Sequence, residues 1–531
     1  MNGMKDVIRI TAAVGALTLA AACGSGTPGQ RPATLRVLAG SELADLRPIL
    51  DQARRDTGVT VELDYTGTLT GGQQVLNGQA GAGHDAVWFS SNRYLALRPQ
   101  AQAKLSPSVK IMSSPVVLGL RTSVAHRLGW DHTRPTWADI AMAAGQKRFS
   151  YGMTNPASSN SGFSALVAVT AGLSGDGAAL DASGIEHVAP RLQRFFASQA
   201  LTAGSSGWLS ETYARRATQV DGLINYESVL LTLNASRRLP EPLTVVYPRD
   251  GVVTADYPIT LLSSASGQAR EAFRTLAAYL QRPEIQRRIM ATTHRRAASA
   301  QVPAGSEFGP LPPELPFPAR PDAVEALVGA YADRFRRPTR TLYVLDVSAS
   351  MKGERIASLK TALTALTGAG SSHAGRLQRF HNREEVTLIP FNSTPQKPVT
   401  YSVPGTGPQA ELGRIRTYAQ SLTARGGTAM YDGLEKAYEV AGRQAARDPD
   451  RFTSIVLMSD GESTGGTSAA SFRAWFARQP AALRQIPIFP ILFGEAAARP
   501  MNQLAELTQG RTFDARRHSL PSVFAEIRGY Q

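Results

Sequence analysis

From residue 340 onward the apolar positions switch between two periods. "RTLYVLDV", "EEVTLIPFN", "FTSIVLMSD" and "IPIFPILFG" are short unbroken apolar runs, the pattern of strands buried on both faces. Between and around them "GERIASLKTALTALTGA", "ELGRIRTYAQSL", "MYDGLEKAYEVAGRQ", "AASFRAWFARQ" and "MNQLAELTQ" repeat apolar residues at helical spacing, followed by a short strand "RTFDA" and a helix "PSVFAEIRG". Strands this apolar, separated by helices, predict a largely parallel sheet covered on both faces, with ligands at the carboxyl ends of its strands. Residues 34–301 alternate in the same way, with Gly- and hydroxyl-rich turns between strand and helix. The two halves are separated by "VPAGSEFGPLPPELPFPARP", residues 302–321, which fits neither helix nor central strand and reads as a semi-stiff connector or a strap. A helix, "DAVEALVGAYADRFRRP", stops before Pro338. The expected organisation is therefore a domain over 34–301, a Pro-rich linker and helix over 302–339, and a second domain over 340–531.

The run "LYVLDVSASMKGERI" leaves its strand through Asp346, Ser348 and Ser350. Alternation along a strand brings i, i+2 and i+4 side chains together at its exit, so three hard oxygen donors converge there. Two other stretches reach the same sheet edge: "ARGGTAMYDGL" carries Thr428 in a Gly-rich turn before a helix, and "VLMSDGEST" ends its strand in Asp460. Read alone, an Asp or Ser at a strand end is most often a helix cap or turn former. The five positions in this order resemble the von Willebrand factor type A domain and its metal-ion-dependent adhesion site. That resemblance covers about 340–531 and implies a doubly wound, Rossmann-like sheet. It also implies one Mg²⁺ or Mn²⁺ held by Asp346, Ser348, Ser350, Thr428 and Asp460, with an open position that accepts a carboxylate from a protein partner. Hydroxyl and carboxylate oxygens are the donors that Mg²⁺ prefers.

The first domain offers a different chemistry. "VLAGSELADL", "YTGTLTGGQQVL" and "VWFSSNRYL" each aim a Gly- or hydroxyl-rich turn at the start of a helix, a natural seat for an anion or polar solute. With "FSYGMTNPASSNSGFSALVAV" and "VDGLINYESVLLTLN", the order resembles the extracellular solute-binding proteins of ABC importers, two-lobed periplasmic-binding-protein-like clamshells, and most of all their molybdate and oxyanion binders. The resemblance implies Ser41, Thr68, Ser159 and Tyr226 as ligand contacts for a small polar solute. The chain departs from the oxyanion group at Glu42 and Glu227, which directly follow Ser41 and Tyr226. A carboxylate repels an anionic ligand unless it turns away or pairs with arginine. The expected solute is therefore neutral, amine-bearing or a cation complex, or the cleft no longer transports anything.

The beginning of the sequence sets the expected compartment. Lys5 and Arg9 precede a short apolar run that reaches Cys23, the single cysteine. A basic start and an apolar stretch too short to span a membrane read as a secretion signal. "LTLAAAC" resembles a bacterial lipoprotein box, which implies a signal peptide over 1–22, acylation of Cys23, and a flexible tether over 23–33. The expected location is the extracellular face of the cell membrane, lipid-anchored. One cysteine provides no disulfide framework. The net charge of +15 is carried mostly by scattered arginine without interleaved aromatics, which argues against nucleic acid as a partner. The eight histidines lie in polar contexts, and H-E-x-x-H spacing is absent, so no enzyme is expected. The reading is a membrane-anchored binding protein that joins a solute-binding domain to a metal-dependent protein-interaction domain. Two alternatives stand beside it: the binding component of an ABC importer, with the A domain docking a permease, and a cell-wall-modifying enzyme.

Overall fold

The strand Ala33–Gly40 seeds the first sheet, its inward residues Leu35, Val37 and Ala39 fully covered. A computed structural model describes residues 33–175, 181–369, 379–516 and 519–531; the expected signal peptide, nearly all of the tether and Cys23 lie outside them. Ala33–Gly40 pairs in parallel with Val59–Thr66 and Ala86–Trp88. Pro258–Leu262 returns antiparallel between Ala86–Trp88 and Leu105–Lys110, completing a five-stranded first lobe. The second lobe is built on Met112–Arg121, antiparallel to Gly222–Tyr226 and to Leu243–Val246. Tyr151–Thr154 runs parallel to Gly222–Tyr226 and to Gln199–Ala203. The chain crosses between lobes at Ile111, again between Thr254–Ala255 and Pro258–Leu262, and a third time at Arg296–Ala297. Crossings of this kind make a two-lobed clamshell, with the cleft between the carboxyl ends of the parallel strands.

Residues 302–320 are a strap. Val252 and Leu315 each donate a backbone hydrogen bond across it, to Pro313 and Val252 (2.9 and 2.8 Å), and Arg93 reaches Glu314 at 2.6 Å. Phe317 meets Phe163 edge to face. The helix Pro321–Ala330 and the wide turn Tyr331–Phe335 then lie on the second lobe, where the Tyr331 ring packs on Phe196.

The third sheet begins at Thr339, one residue before the expected boundary. Thr339–Asp346 lies at its centre, parallel to Glu385–Phe391 and Phe452–Ser459. Ile488–Leu492 and Phe513–Asp514 extend it in parallel. Val399–Ser402 adds an antiparallel edge that the sequence reading missed. Leu359, Leu412 and Phe524 cover one face and Leu434, Phe472 and Leu504 the other, the doubly wound arrangement expected.

The first of these faces continues into the clamshell: Leu201, Leu209 and Tyr213 of the second lobe belong to the same apolar cluster. Its keystone is Tyr530, whose ring lies 4.8 Å from that of Trp208. A Cβ on Gly204 would come within 2.4 Å of the Tyr530 ring, so only glycine admits this contact. A buried ionic clasp sits beside it. Glu384 accepts from both Arg336 and Arg528, all three nearly sealed from solvent. Asp333, in the wide turn, accepts from Arg379 at 3.1 Å and from the Asn382 amide at 3.1 Å, and meets His381 Nδ1 at 3.0 Å.

Burial opposes ionisation of both acids, but the surrounding cations win. Arg528 and Arg336 hold Glu384 below the usual glutamate range, and His381 and Arg379 help to pull Asp333 down to about 2. An acid with a depressed native pKa stabilises the fold above its unfolded pKa and loses that contribution as pH falls through the native value. For Asp333, a drop from 3.8 to about 2 corresponds to about 2 kcal/mol. The melting temperature should therefore fall steeply below pH ~4. Glu384→Ala, which strands two buried guanidinium groups, should cost about 3–5 kcal/mol in denaturant unfolding. A flat acid profile together with a neutral Glu384→Ala variant would contradict the clasp.

Candidate functional site

Parallel register carries Asp346 and Asp460 to one end of adjacent strands. Asp346 is fully buried; its Oδ1 accepts from the Ser348 amide at 2.8 Å and its Oδ2 from the Ser459 hydroxyl at 2.6 Å. The Ser348 and Ser350 hydroxyls are 2.9 Å apart, and Ser350 donates to Asp460 Oδ1 at 2.8 Å. Four of the five expected residues thus meet in one hydrogen-bonded chain, Asp346 joining through the Ser348 backbone amide and the other three through side-chain oxygens. Thr428 is buried in the adjoining loop, which is tied to the strand exit by Ala349 N to Gly426 O (2.9 Å) and Arg425 N to Val347 O (2.8 Å). From its other side, Thr464 N donates to the Thr428 carbonyl at 2.9 Å. Burial raises the Asp346 carboxyl above the ordinary aspartate range, and the nearby charge of Asp460 adds to the rise. A site that disfavours its own charge is one that a cation relieves. The donor set, hydroxyl and carboxylate oxygen only, fits a hard divalent ion.

One neighbour was not foreseen. Arg355, near the start of the helix Glu354–Leu366, donates to Asp460 Oδ2 at 2.6 Å and reaches Glu495 at 3.3 Å. Its guanidinium occupies the second carboxylate oxygen of the set. Nothing in the local sequence signals this, because the partner acid lies just past a strand end, 105 residues away.

In the clamshell, the four expected contacts lie where the two lobes meet. Thr68 opens the helix Thr68–Leu76, and its hydroxyl lies 3.0 Å from that of Ser90. Tyr226 ends its strand and donates to Ser90 at 2.8 Å, while Asn160 donates to the Tyr226 oxygen at 3.2 Å. Ser159 directly precedes the helix Asn160–Ser174 without capping it through its side chain, and begins a hydroxyl chain through Ser161 (3.3 Å) to Ser206 (2.7 Å). The Ser41 hydroxyl is buried without a hydrogen-bonding partner, facing Gly207 across the cleft. The lobes touch directly: Leu69 N donates to Ser158 O at 3.2 Å, and a Cβ on Gly67 would sit 2.4 Å from that carbonyl. Ser90, Asn160 and Ser206 were not singled out as contacts, although Ser90 binds three of the groups that line the cleft.

The two suspect glutamates separate. Glu227 is turned away and answered by Arg296 in a bidentate pair (2.8 and 2.7 Å). Glu42 stays in the cleft. Desolvation raises its pKa despite a hydrogen bond from Ser90 and the charge of Arg295, and Arg295 itself is taken by Asp45 at 2.7–2.9 Å. Histidines unremarkable in the sequence also converge, His126 and His132 meeting Asp131 at 2.7 and 3.2 Å on exposed ground.

Comparison with known families agrees with both halves of this architecture. Residues 35–292 match the family model of the bacterial extracellular solute-binding proteins, and residues 341–462 that of the von Willebrand factor type A domain. The chain thus combines an extracellular solute-binding domain with a von Willebrand factor type A domain. Among curated relatives, inter-alpha-trypsin inhibitor heavy chain H4 of Sus scrofa is 26% identical over 137 residues, and heavy chain H3 of Homo sapiens 28% over 137. Each alignment takes in 25% of this chain but only 13–14% of the relative's length. Similar solved structures include the periplasmic binding protein AfuA of Actinobacillus pleuropneumoniae, with fructose-6-phosphate bound. It is 11% identical, with 57% of this chain and 99% of that one covered and a TM-score of 0.45. The ferric binding protein of Campylobacter jejuni is 12% identical, with 56% and 98% covered and a TM-score of 0.44. Solute-binding domains of this family work outside the cytoplasm. No helix among the described residues is long and apolar enough to cross a membrane.

Arg355 gives a direct test of the strand-end set. Arg355→Ala frees Asp460 Oδ2 and removes a positive charge, so calorimetric affinity for Mn²⁺ should rise roughly tenfold. Unchanged or weaker affinity would mean that guanidinium and cation do not compete for Asp460.

Proposed function

We propose that this chain is a surface-tethered binding protein in which the clamshell takes up a small polar solute and the A domain engages a protein partner through a divalent cation. The observation that carries the reading is the linked oxygen set of Asp346, Ser348, Ser350 and Asp460 at the strand ends, with Thr428 in the loop beside it. These residues would hold Mg²⁺ or Mn²⁺. When bound, such an ion supplies a coordination position for an acidic side chain of the partner. The protein's own contribution is to hold the oxygens together, through the Ser459 hydroxyl and the Ser348 amide on Asp346, and to keep bulk water from its buried carboxylate.

The solute reading rests on Glu42. A desolvated carboxylate among Ser90, Tyr226 and Tyr257 disfavours oxyanions and favours an amine or a cation complex, whose positive charge would offset the cost of its burial. The hydroxyls of Thr68, Ser90 and Tyr226 near it offer donors and acceptors for the rest of a small polar molecule. A lipid on Cys23 would keep both domains at the extracellular face of the membrane, and Cys23→Ala should release the protein into the medium. The matches to a solute-binding family and to an A domain support binding rather than catalysis.

Thermal denaturation of the full chain against amino acids, polyamines, sugars and oxyanions tests the solute class. A ligand at a hundred times its Kd adds about 2.7 kcal/mol, and amines should be the class that does so. Tyr226→Phe with Ser41→Ala, which keeps the buried ring and removes both hydroxyls, should abolish the shift while leaving the unliganded melting temperature within a few degrees. Stabilisation by oxyanions alone would overturn the role given to Glu42. EDTA should lower the melting temperature of the full chain and Mg²⁺ restore it; insensitivity to both would remove the cation from the proposal.

A further inference from the structure

A cavity of about 700 Å³ opens between the second lobe of the clamshell and the A domain, within the size range of small-molecule sites. The clamshell side is formed by the strand Gln199–Ala203 and the helix Ser206–Arg216, the A-domain side by the end of the helix Met430–Arg447 and the turn before Ile488–Leu492. Its apolar lining includes the rings of Trp208, Phe489 and Tyr530, with Trp208 6.2 Å from Phe489.

Its charge is one-sided. Arg216, Arg337 and Arg451 line it, and no aspartate or glutamate does. Arg451 is answered by Asp448 at 2.6 Å. Arg216 reaches only amide oxygens, those of Gln219 and Gln485 at 3.3 and 3.4 Å. Arg337 donates to the carbonyls of Gln199 and Asp450 and lies 4.6 Å over the Phe452 ring. Neither makes an ion pair among the described residues.

Elsewhere this chain answers its buried guanidinium groups with acids: Arg295 with Asp45, Arg296 with Glu227, Arg340 with Glu385, and Arg336 and Arg528 with Glu384. Arg270 and Arg383 are likewise half-buried and donate only to carbonyls. Arg216 and Arg337 differ from them in facing one cavity whose wall holds no acidic side chain, although the charge of Asp450 still acts on Arg337. Burial lowers the pKa of Arg216 with no acid to oppose it. Thr202 and Gln509, which also line the cavity, each hold a buried side-chain oxygen without a hydrogen-bonding partner.

We propose that this interdomain cavity is a second ligand site, for a small organic anion with a flat apolar body. The body lies against Trp208 and Phe489, and the acid group pairs with Arg216 and Arg337. A carboxylate suits a guanidinium in a partly desolvated setting, where a charge-assisted hydrogen bond is stronger than in water. Because its walls come from both domains, the bound anion also fastens the clamshell to the A domain.

Calorimetry on the full chain tests this with naphthoate and its neutral amide as probes. The wild type should bind naphthoate at least tenfold more tightly than the amide. Arg216→Gln with Arg337→Gln should erase that preference, and Arg216→Lys should retain part of it. Leu483→Trp, which fills the cavity without touching a charge, should abolish binding of both probes. The melting temperature of each variant reports whether it is folded. No binding to the wild type, equal binding of acid and amide, or a preference that survives the double substitution in folded protein would each overturn the proposal.

Discussion

Two carboxylates carried to the same end of neighbouring parallel strands are the constraint on which the rest of the A domain depends. Sheet register fixes Asp346 and Asp460 there, and neither can leave without shifting a buried strand by two residues. The protein meets the resulting repulsion with local means: an amide and a hydroxyl on Asp346, a hydroxyl and the Arg355 guanidinium on Asp460. These groups are weaker answers than a divalent ion. The same constraint accounts for the buried loop at Thr428, for the placement of Arg355, and for the expectation that cation and arginine compete.

The clamshell solves a related problem with a different result. Its turns bring hydroxyls rather than charges to the helix starts, and the carboxylate that follows Ser41, Glu42, is desolvated rather than paired. Glu227, the other acid beside the cleft, is neutralised by Arg296. The two glutamates look alike in sequence, each following a contact residue, and the fold gives them opposite roles. The cleft and the A domain are also physically joined. The segment that carries Ser159 and Asn160 begins at Asn155, which donates to the Arg528 carbonyl at 3.3 Å, and Ser158 lies against Gly529. A solute that shifts this segment acts directly on the last turn of the A domain.

Much of this was legible in the sequence, for identifiable reasons. The triplet at 346–350 and Asp460 beside its strand end are local signals, although the strand stops at Asp346 and a 3-10 turn at Ala349–Met351, rather than strand alternation, brings the serines round. The hydroxyl turns at Ser41, Thr68 and Ser159 are equally local. What escaped depends on distant pairing. Arg355, Arg295 and Arg296 are unremarkable arginines until the fold supplies Asp460, Asp45 and Glu227. Val399–Ser402 is a four-residue edge strand after a proline, too short for periodicity to register. The strap at 302–320 was recognisable as irregular, but its packing on Val252 and Phe163 depends on surfaces elsewhere in the chain.

The most direct test of the central claim is paramagnetic resonance of Mn²⁺ titrated with the full chain, because free and bound Mn²⁺ give different signals. Loss of the free-ion signal at one Mn²⁺ per chain, abolished by Asp346→Ala in folded protein and reversed by excess Mg²⁺, is what the strand-end set predicts. A free-ion signal undiminished by wild-type protein, or a loss of signal that Asp346→Ala leaves intact, would contradict it.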